Sequence, residues 1–341
     1  MKFLLYACIL SLTFFQPICS GNQADVFAEQ AEQLPAAPAT IRVVTSRVNV
    51  NVAVTDSHGR AVDGLRREEF HVFDDGIERP ITSYASNEDP SQVVLMIESG
   101  TADFLLEQFG RSPFLSADAL LDKISVSDRL AIVTYSDHAY VSMDFTPNGP
   151  AVRVALRNLN FQLSRAAVGS NSLNLSSSLA AVLYWLKPMP GKKVVILLST
   201  GIDTSLPENR QFVDEELKTS DIPILAVSVL GDFRKSPAHG SSSADDREGQ
   251  RFVKGMFDAE QWLQQIARAT GGRAWLPENV KEFDEAYDDI GQLIRAEYSV
   301  GFVPYPLDGK LHSLTVKMNH PWYRSFEVEN RQAYIAAPPQ E

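Results

Sequence analysis

Six histidines (His58, His71, His138, His239, His312 and His320) are the side chains best suited to proton transfer or metal binding near neutral pH. None falls in an H-E-x-x-H helix or a paired metal-ligand spacing, so each is read as a surface or turn residue. Serine is abundant, but no G-x-S-x-G elbow exposes one as a nucleophile, and a hydrolase has no motif behind it. Pro190-Gly191-Lys192-Lys193 has phosphate-loop residue types in the wrong order, because it precedes an apolar run instead of following one and opening a helix. Asp74-Asp75-Gly76-Ile77-Glu78 has the composition of a cation site, yet Asp-Gly between two short apolar stretches reads first as an exposed hairpin tip. Trp185 and Trp275 are read as core or partly buried residues rather than carbohydrate platforms. The stretch Gly231 to Gly255 reads as a long polar loop of nearly balanced charge, first as a passive mobile loop and second as a candidate for partner contact.

The chain that must position these groups has 341 residues, a length that suggests about two domains. Hydrophobic residues make up 44% and charged residues 22%, which excludes a mostly disordered or collagen-like chain. The net charge of −12 argues against a nucleic-acid binder, which must neutralise phosphates. Both cysteines, Cys8 and Cys19, lie in the first twenty residues. There, Met1-Lys2 precedes an apolar run from Phe3 to Phe15 that is too short for a bilayer span of about 20 residues. Residues 1–20 are therefore read as a cleaved signal peptide. A lipid anchor at Cys19 is disfavoured by the bulky Ile18 before it, and a buried N-terminal element is the remaining alternative. Residues 21–40 read as a flexible tether. The expectation is an exported protein, periplasmic or secreted, whose mature chain has neither cysteine chemistry nor a membrane span.

Three segments follow. In residues 41–89, Val48, Val50, Val52 and Val54 alternate with Asn49, Asn51 and Ala53, the period of a strand with one buried face. Further short strands are expected at Phe70–Phe73 and Ile81–Tyr84. In residues 90–303 the pattern changes to continuous apolar runs such as Val93–Ile97, Leu130–Val133, Val194–Leu198 and Ile222–Leu230, separated by helical stretches. The last of these helices run from Ala259 to Thr270, closed by Gly271-Gly272, and from Val280 to Glu297; a strand at Tyr298–Phe302 completes the series. This is an α/β pattern, a doubly wound and mainly parallel sheet. Residues 304–341 return to short strands, with Phe326–Val328 expected to pair with Leu314–Met318. The β pieces at the two ends are expected to fold together into one small layer.

The order of these pieces resembles a bacterial VWFA-related domain family. The matching residues are Val52-Ala53-Val54-Thr55-Asp56, Gly59-Arg60-Ala61-Val62, Gly64-Leu65, Glu69-Phe70 and Phe73-Asp74-Asp75-Gly76, then Ile294 through Phe302, Asp308-Gly309-Lys310 and Tyr334-Ile335-Ala336. The resemblance spans roughly residues 45 to 337 and implies a central von Willebrand type A, Rossmann-like domain that binds other macromolecules. Many such domains hold Mg²⁺ or Mn²⁺ at a metal-ion-dependent adhesion site. Its Asp-x-Ser-x-Ser motif follows the first strand, with a Thr from a second loop and an Asp from a third. Hard oxygen ligands suit such a cation, with one position left for the partner's carboxylate.

Relative to that pattern, every loop of this chain departs. Ile97 stands where the first Asp belongs when Ser99-Gly100-Thr101 is aligned on Ser-x-Ser, with Glu98 one step late. Aligning Glu98 instead puts Gly100 on the first serine. The second loop offers Ser172 in place of Thr, and in the third Thr200 replaces the Asp while Asp203 remains. The resemblance therefore implies a degenerate site without a metal cofactor, and Glu98, Ser99, Thr101, Ser172, Thr200 and Asp203 as partner-contacting loop residues. The alternative is an Mg²⁺- or Mn²⁺-dependent adhesion module using Glu98, Ser99, Thr101 and Asp203. The plainest role for Ser99, Thr101 and Ser172 is to cap helices. The leading expectation is an exported, non-enzymatic module binding a protein partner of unknown identity, and an unrecognised hydrolase is a third class.

Overall fold

A computed structural model gives the fold of residues 47–99, 113–165, 172–205, 207–231, 246–319 and 325–336. The segment read as signal peptide and tether, Thr101, and residues 232–245 of the long polar loop lie outside that description.

Valine alternation builds the first strand: Val50, Val52 and Val54 are buried along β1 (Val48–Asp56). β2 (Phe70–Asp74) and β3 (Ile77–Arg79) then pair as a hairpin. Asp75 and Gly76 at its tip have φ of 48° and 79°, the left-handed pair that matches the twist of the flanking strands. β4 (Ile81–Ala85) leaves this hairpin for another sheet.

The continuous apolar runs form a six-stranded sheet in the order β10-β9-β8-β5-β6-β7. Its strands are β5 (Ser91–Glu98), β6 (Arg129–Tyr135), β7 (Ala139–Pro147), β8 (Lys192–Ser199), β9 (Ile224–Ser228) and β10 (Ala274–Trp275). Every pairing is parallel except that of β7, which runs antiparallel to β6. Val93, Leu95 and Ile97 pack under α1 (Pro113–Leu121), α2 (Pro150–Arg165) and α6 (Val280–Ala296). Val94 and Met96 pack on the other face under α3 (Leu175–Leu186), α4 (Pro207–Thr219) and α5 (Asp246–Ala269). The sheet is doubly wound, as its two-sided apolar strands require.

Several elements differ from the sequence reading. α2 and α4 have no counterpart in it, because each buries only a sparse stripe, Val152 with Leu156 and Val213 with Leu217. The missed signal is a proline at the start of each, where a helix needs no N–H. α5 begins at Asp246, so residues 246–255 are helix rather than loop. The strand β11 (Glu297–Phe302), expected in the parallel series, instead lies antiparallel between β1 and β4. β13 (Phe326–Asn330) pairs with β1 and not with β12 (Leu311–Met318).

The two ends of the chain do fold together, as two sheets rather than one layer. One has the order β13-β1-β11-β4, and the other is β14-β12-β2-β3, with β14 spanning Ala333–Ile335. Their shared core holds Val50, Val52, Phe70, Val72, Tyr298, Phe302, Leu314 and Tyr334. Because β4 and β11 are hydrogen-bonded neighbours, the whole α/β domain is inserted between two adjacent strands of this sandwich. Lys192, 2% exposed at the start of β8, stands at the junction and donates to the carbonyls of Asn87 (3.1 Å) and Glu297 (3.2 Å).

A second polar cluster corrects two readings, since Asp74 is buried rather than exposed at a hairpin tip and His312 is buried rather than a surface residue. His312 Nδ1 lies 2.9 Å from Asp74 and its Nε2 lies 3.2 Å from Asp308, while Tyr334 donates to Asp74 at 3.0 Å. Asp74, Asp75 and His312 bring three ligand atoms within 4.8 Å. Those carboxylates already face Arg79, Tyr334 and Ser313, so the cluster reads as an ion-pair clamp. Burial pulls the His312 pKa down, but the Asp74 and Asp308 carboxylates outweigh it and hold it above the ordinary value. A raised folded-state pKa gives stability that is complete below about pH 6.5 and lost as pH rises through the folded value. The stability gap between wild type and His312→Gln, read from urea midpoints, should therefore be constant at acid pH and narrow as pH rises above about 6.5. A gap independent of pH would remove the clamp.

Candidate functional site

The carboxyl ends of the parallel strands meet at one edge, and the residues that close them are polar. Pairing sets Glu98 opposite Tyr135 and Ser199 opposite Ser228. Glu98 is 1% exposed, so its carboxyl group depends wholly on protein donors. Its Oε2 accepts from the Tyr135 hydroxyl, the Ser199 hydroxyl and the Thr200 backbone N–H, each at 2.9 Å. The Thr200 hydroxyl reaches Oε1 at 3.0 Å. Tyr135 and Ser199 hydroxyls are themselves 2.7 Å apart. Burial pushes the Glu98 pKa up, and the hydrogen bonds from Thr200, Tyr135 and Ser199 offset only part of that rise. Burial and the neighbouring Glu98 charge drive the Tyr135 phenol well above its usual range.

The third loop is shaped by the same network. Ser199 Oγ accepts from the Gly201 N–H at 2.8 Å, and Thr200 Oγ1 accepts from the Ile202 N–H at 3.1 Å. Gly201 has a φ of 76°, and a Cβ there would stand 2.4 Å from the Ala259 carbonyl oxygen of α5. The loop turns against α5 only because that residue lacks a side chain.

Asp203 does not join Glu98. Its carboxylate takes the Ser176 hydroxyl, the Ser205 N–H (3.0 Å) and the Ser205 hydroxyl (2.9 Å), with Arg210 Nε at 3.4 Å. One residue on, Thr204 and Leu173 exchange backbone and hydroxyl hydrogen bonds of 2.7 to 3.0 Å. Asp203 and Thr204 thus clasp the second loop to the third.

Of the residues singled out in the sequence, Glu98 and Thr200 are in direct contact, and Ser99 adjoins them with its hydroxyl on the Tyr135 carbonyl at 3.0 Å. Ser172 is exposed, and the cap of α3 is Asn174, which accepts from the Ser177 N–H, so Ser172 does not cap that helix. Thr101 lies outside the described residues. Tyr135, Ser199 and Ser176 were not anticipated. The available signal was positional, since Tyr135 and Ser199 each close an apolar run that ends at the same edge as Glu98.

The described residues do not fit a hard divalent cation. Such an ion needs carboxylate and hydroxyl lone pairs turned towards one point, and here both Glu98 oxygens face N–H and O–H donors. No group of three His, Cys, Asp or Glu ligand atoms among the described residues includes Glu98 or Asp203. Among the described residues, the hydroxyls of this edge are not set beside an imidazole base; those of Ser99, Ser176, Ser199 and Thr200 have carboxylate, phenol or carbonyl partners.

Residues 116–273 match the von Willebrand factor type A domain family, a span that begins after the Glu98 segment. A UPF0353 protein of Nocardia farcinica is 28% identical over 200 residues, 54% of this chain. The chain spans 57% of that relative's length. Among solved structures, a von Willebrand factor type A protein from Catenulispora acidiphila is 12% identical with a TM-score of 0.44, covering 87% of this chain and 73% of its own. An aerotolerance-related membrane protein from Bacteroides fragilis is 14% identical with a TM-score of 0.42, covering 60% and 98%. The PilB minor pilin from Streptococcus sanguinis is 13% identical with a TM-score of 0.42, covering 64% and 63%.

Removing the buried acceptor strands four donors at once. Glu98→Ala should lower stability by roughly 2–5 kcal/mol, whereas Ser99→Ala, which deletes one hydrogen bond to a carbonyl, should cost about 1 kcal/mol. Urea unfolding of the two variants makes the comparison. Equal and small losses would mean that Glu98 does not organise the edge.

Proposed function

With residues 116–273 carrying a von Willebrand factor type A domain, we propose that this chain is an exported, non-enzymatic module that binds a protein partner through its carboxyl-edge loops without a metal. The observation that carries the reading is the enclosure of Glu98 by Tyr135, Ser199 and Thr200. The carboxyl group nearest the position where such folds place a cation-binding Asp is here turned inward and consumed by the protein's own donors. The loops around it are held to one another by Asp203–Ser176 and Thr204–Leu173, which makes a preformed surface. A preformed surface binds with less ordering cost than mobile loops do. Export rests on the apolar N-terminal run of the sequence, and no described helix is long and apolar enough to cross a membrane.

Metal independence is tested by thermal melting in EDTA and then in excess Mg²⁺ or Mn²⁺. A ligand of the native state raises the melting temperature, so the expected result is no shift across saturating metal. A rise of several degrees would favour the adhesion module built on Glu98, Ser99, Thr101 and Asp203. The surface is tested by placing a photo-crosslinking residue at exposed Ser172, with a control at Val126, which is 79% exposed and precedes β6 at the opposite edge. Adducts in the native cell envelope should form at position 172 and not at 126. Equal labelling of both positions would reject the edge as the contact surface.

A further inference from the structure

At the opposite end of the parallel sheet, about 23 Å from Thr200 along β8, a cleft of about 830 Å³ opens where the α/β domain meets the sandwich. Its volume falls within the range of roughly 300–1,000 Å³ common to small-molecule sites. One wall is the outer face of β1 and β11 together with β4, and the other is the turn Lys187–Gly191 between α3 and β8 with the end of α4.

The charges lining it are unbalanced. Arg47, Lys187, Lys193 and Arg331 face the cleft, against the single carboxylate of Asp221. Asp221 is already engaged by Asn49 Nδ2 at 2.8 Å. Elsewhere the basic side chains commonly sit in ion pairs, as do Arg60, Arg79, Lys123, Arg153, Arg210 and Arg273. Among the described residues, none of the four cleft cations has a carboxylate within 4.0 Å.

Two of these cations are buried, which makes the imbalance costly. Arg331 is 5% exposed and donates only to neutral carbonyls, those of Ser220 (2.6 Å) and Asn49 (2.9 Å). Its Nε is buried with no hydrogen-bond partner. Lys193 is 7% exposed, and its Nζ reaches only the Lys187 carbonyl at 3.3 Å. Buried charges in proteins are ordinarily paired, because an isolated one forfeits its hydration without compensation. Although the Asp221 charge acts on Arg331, a guanidinium with an unsatisfied N–H and an ammonium lining the same cavity are the complement of an oxyanion.

We propose that this cleft is a binding site for a small anionic ligand bearing a carboxylate or phosphate group, held between Arg331 and Lys193 on its floor and Arg47 and Lys187 at its rim. Because one pair of cations comes from the sandwich and the other from the α/β domain, the ligand bridges the two. The site is separate from the carboxyl-edge loops and stands whether or not those loops bind a protein.

The test is a thermal-shift titration of the full chain with inorganic phosphate and with succinate, against sodium chloride at matched ionic strength. One of the two oxyanions should raise the melting temperature saturably while chloride does not. A response to phosphate alone identifies a phosphate ligand, and a response to succinate alone identifies a carboxylate. Arg331 and Lys193 are buried, so their replacement risks the fold. The variant Arg47→Gln/Lys187→Gln alters only exposed side chains and should weaken the oxyanion's apparent affinity by roughly tenfold or more. A Lys281→Gln control, on the exposed surface of α6, should leave it unchanged. No saturable shift with either oxyanion, or full affinity in the double variant, would overturn the proposal.

Discussion

The ammonium group of Lys192 holds the molecule's two halves in register. It is buried where the chain first leaves the sandwich, near Asn87, and where it returns, at Glu297, and it bonds the backbone of both segments. The carboxyl groups of Glu297 and Asp128 act on it electrostatically and offset only part of the cost of its burial. Burial lowers the Lys192 pKa and raises those of both acids, Glu297 to about 8. Such a group is expensive to bury, and its bonds to the backbone of both segments offset part of that cost. The lysine pair that a sequence reader tests against a phosphate loop has found two other uses. Lys192 fastens the junction, and its neighbour Lys193 turns into the cleft beside it.

The carboxyl edge reaches order by a different route. Fixed carboxylates around a cation would normally draw such loops together. In their place Glu98 gathers a phenol, two hydroxyls and a backbone amide, and Asp203 fastens a neighbouring pair of loops. Both acids face inward, so the surface of the edge lacks the charge of its own framework. On the proposed function, recognition would fall to the exposed loop residues around them, of which Ser172 is one.

Much of this architecture could be read from the chain, and the failures have physical causes. The two-sided apolar runs gave the parallel sheet because a strand covered on both faces has little freedom in composition. Helices α2 and α4 escaped because two buried residues apiece make too weak a period to see. The assignment of β11 failed because its apolar run resembles a buried parallel strand, and only its partners reveal that it is antiparallel. At the site, the sequence identified Glu98 and Thr200 but not that they would meet. Tyr135 supplies the missing link, and its only signal is its place at the end of an apolar run that closes at the same edge as Glu98. The separated motifs Phe73-Asp74-Asp75-Gly76, Asp308-Gly309-Lys310 and Tyr334-Ile335-Ala336 found their reason only in three dimensions, where Asp74, Asp308 and Tyr334 surround or adjoin His312.

The insertion between β4 and β11 has a mechanical meaning. The inserted domain hangs from two strands that are antiparallel neighbours, and both of its connections leave from the same end of that ladder, by Ala85 and Ser299. Tension between the sandwich and a partner gripping the far edge therefore meets the ladder's hydrogen bonds one after another, as in a zipper, and not all together in shear. The fork of that zipper is where Lys192 lies, so the first bonds to feel the load are those of a buried ion and not of bare backbone.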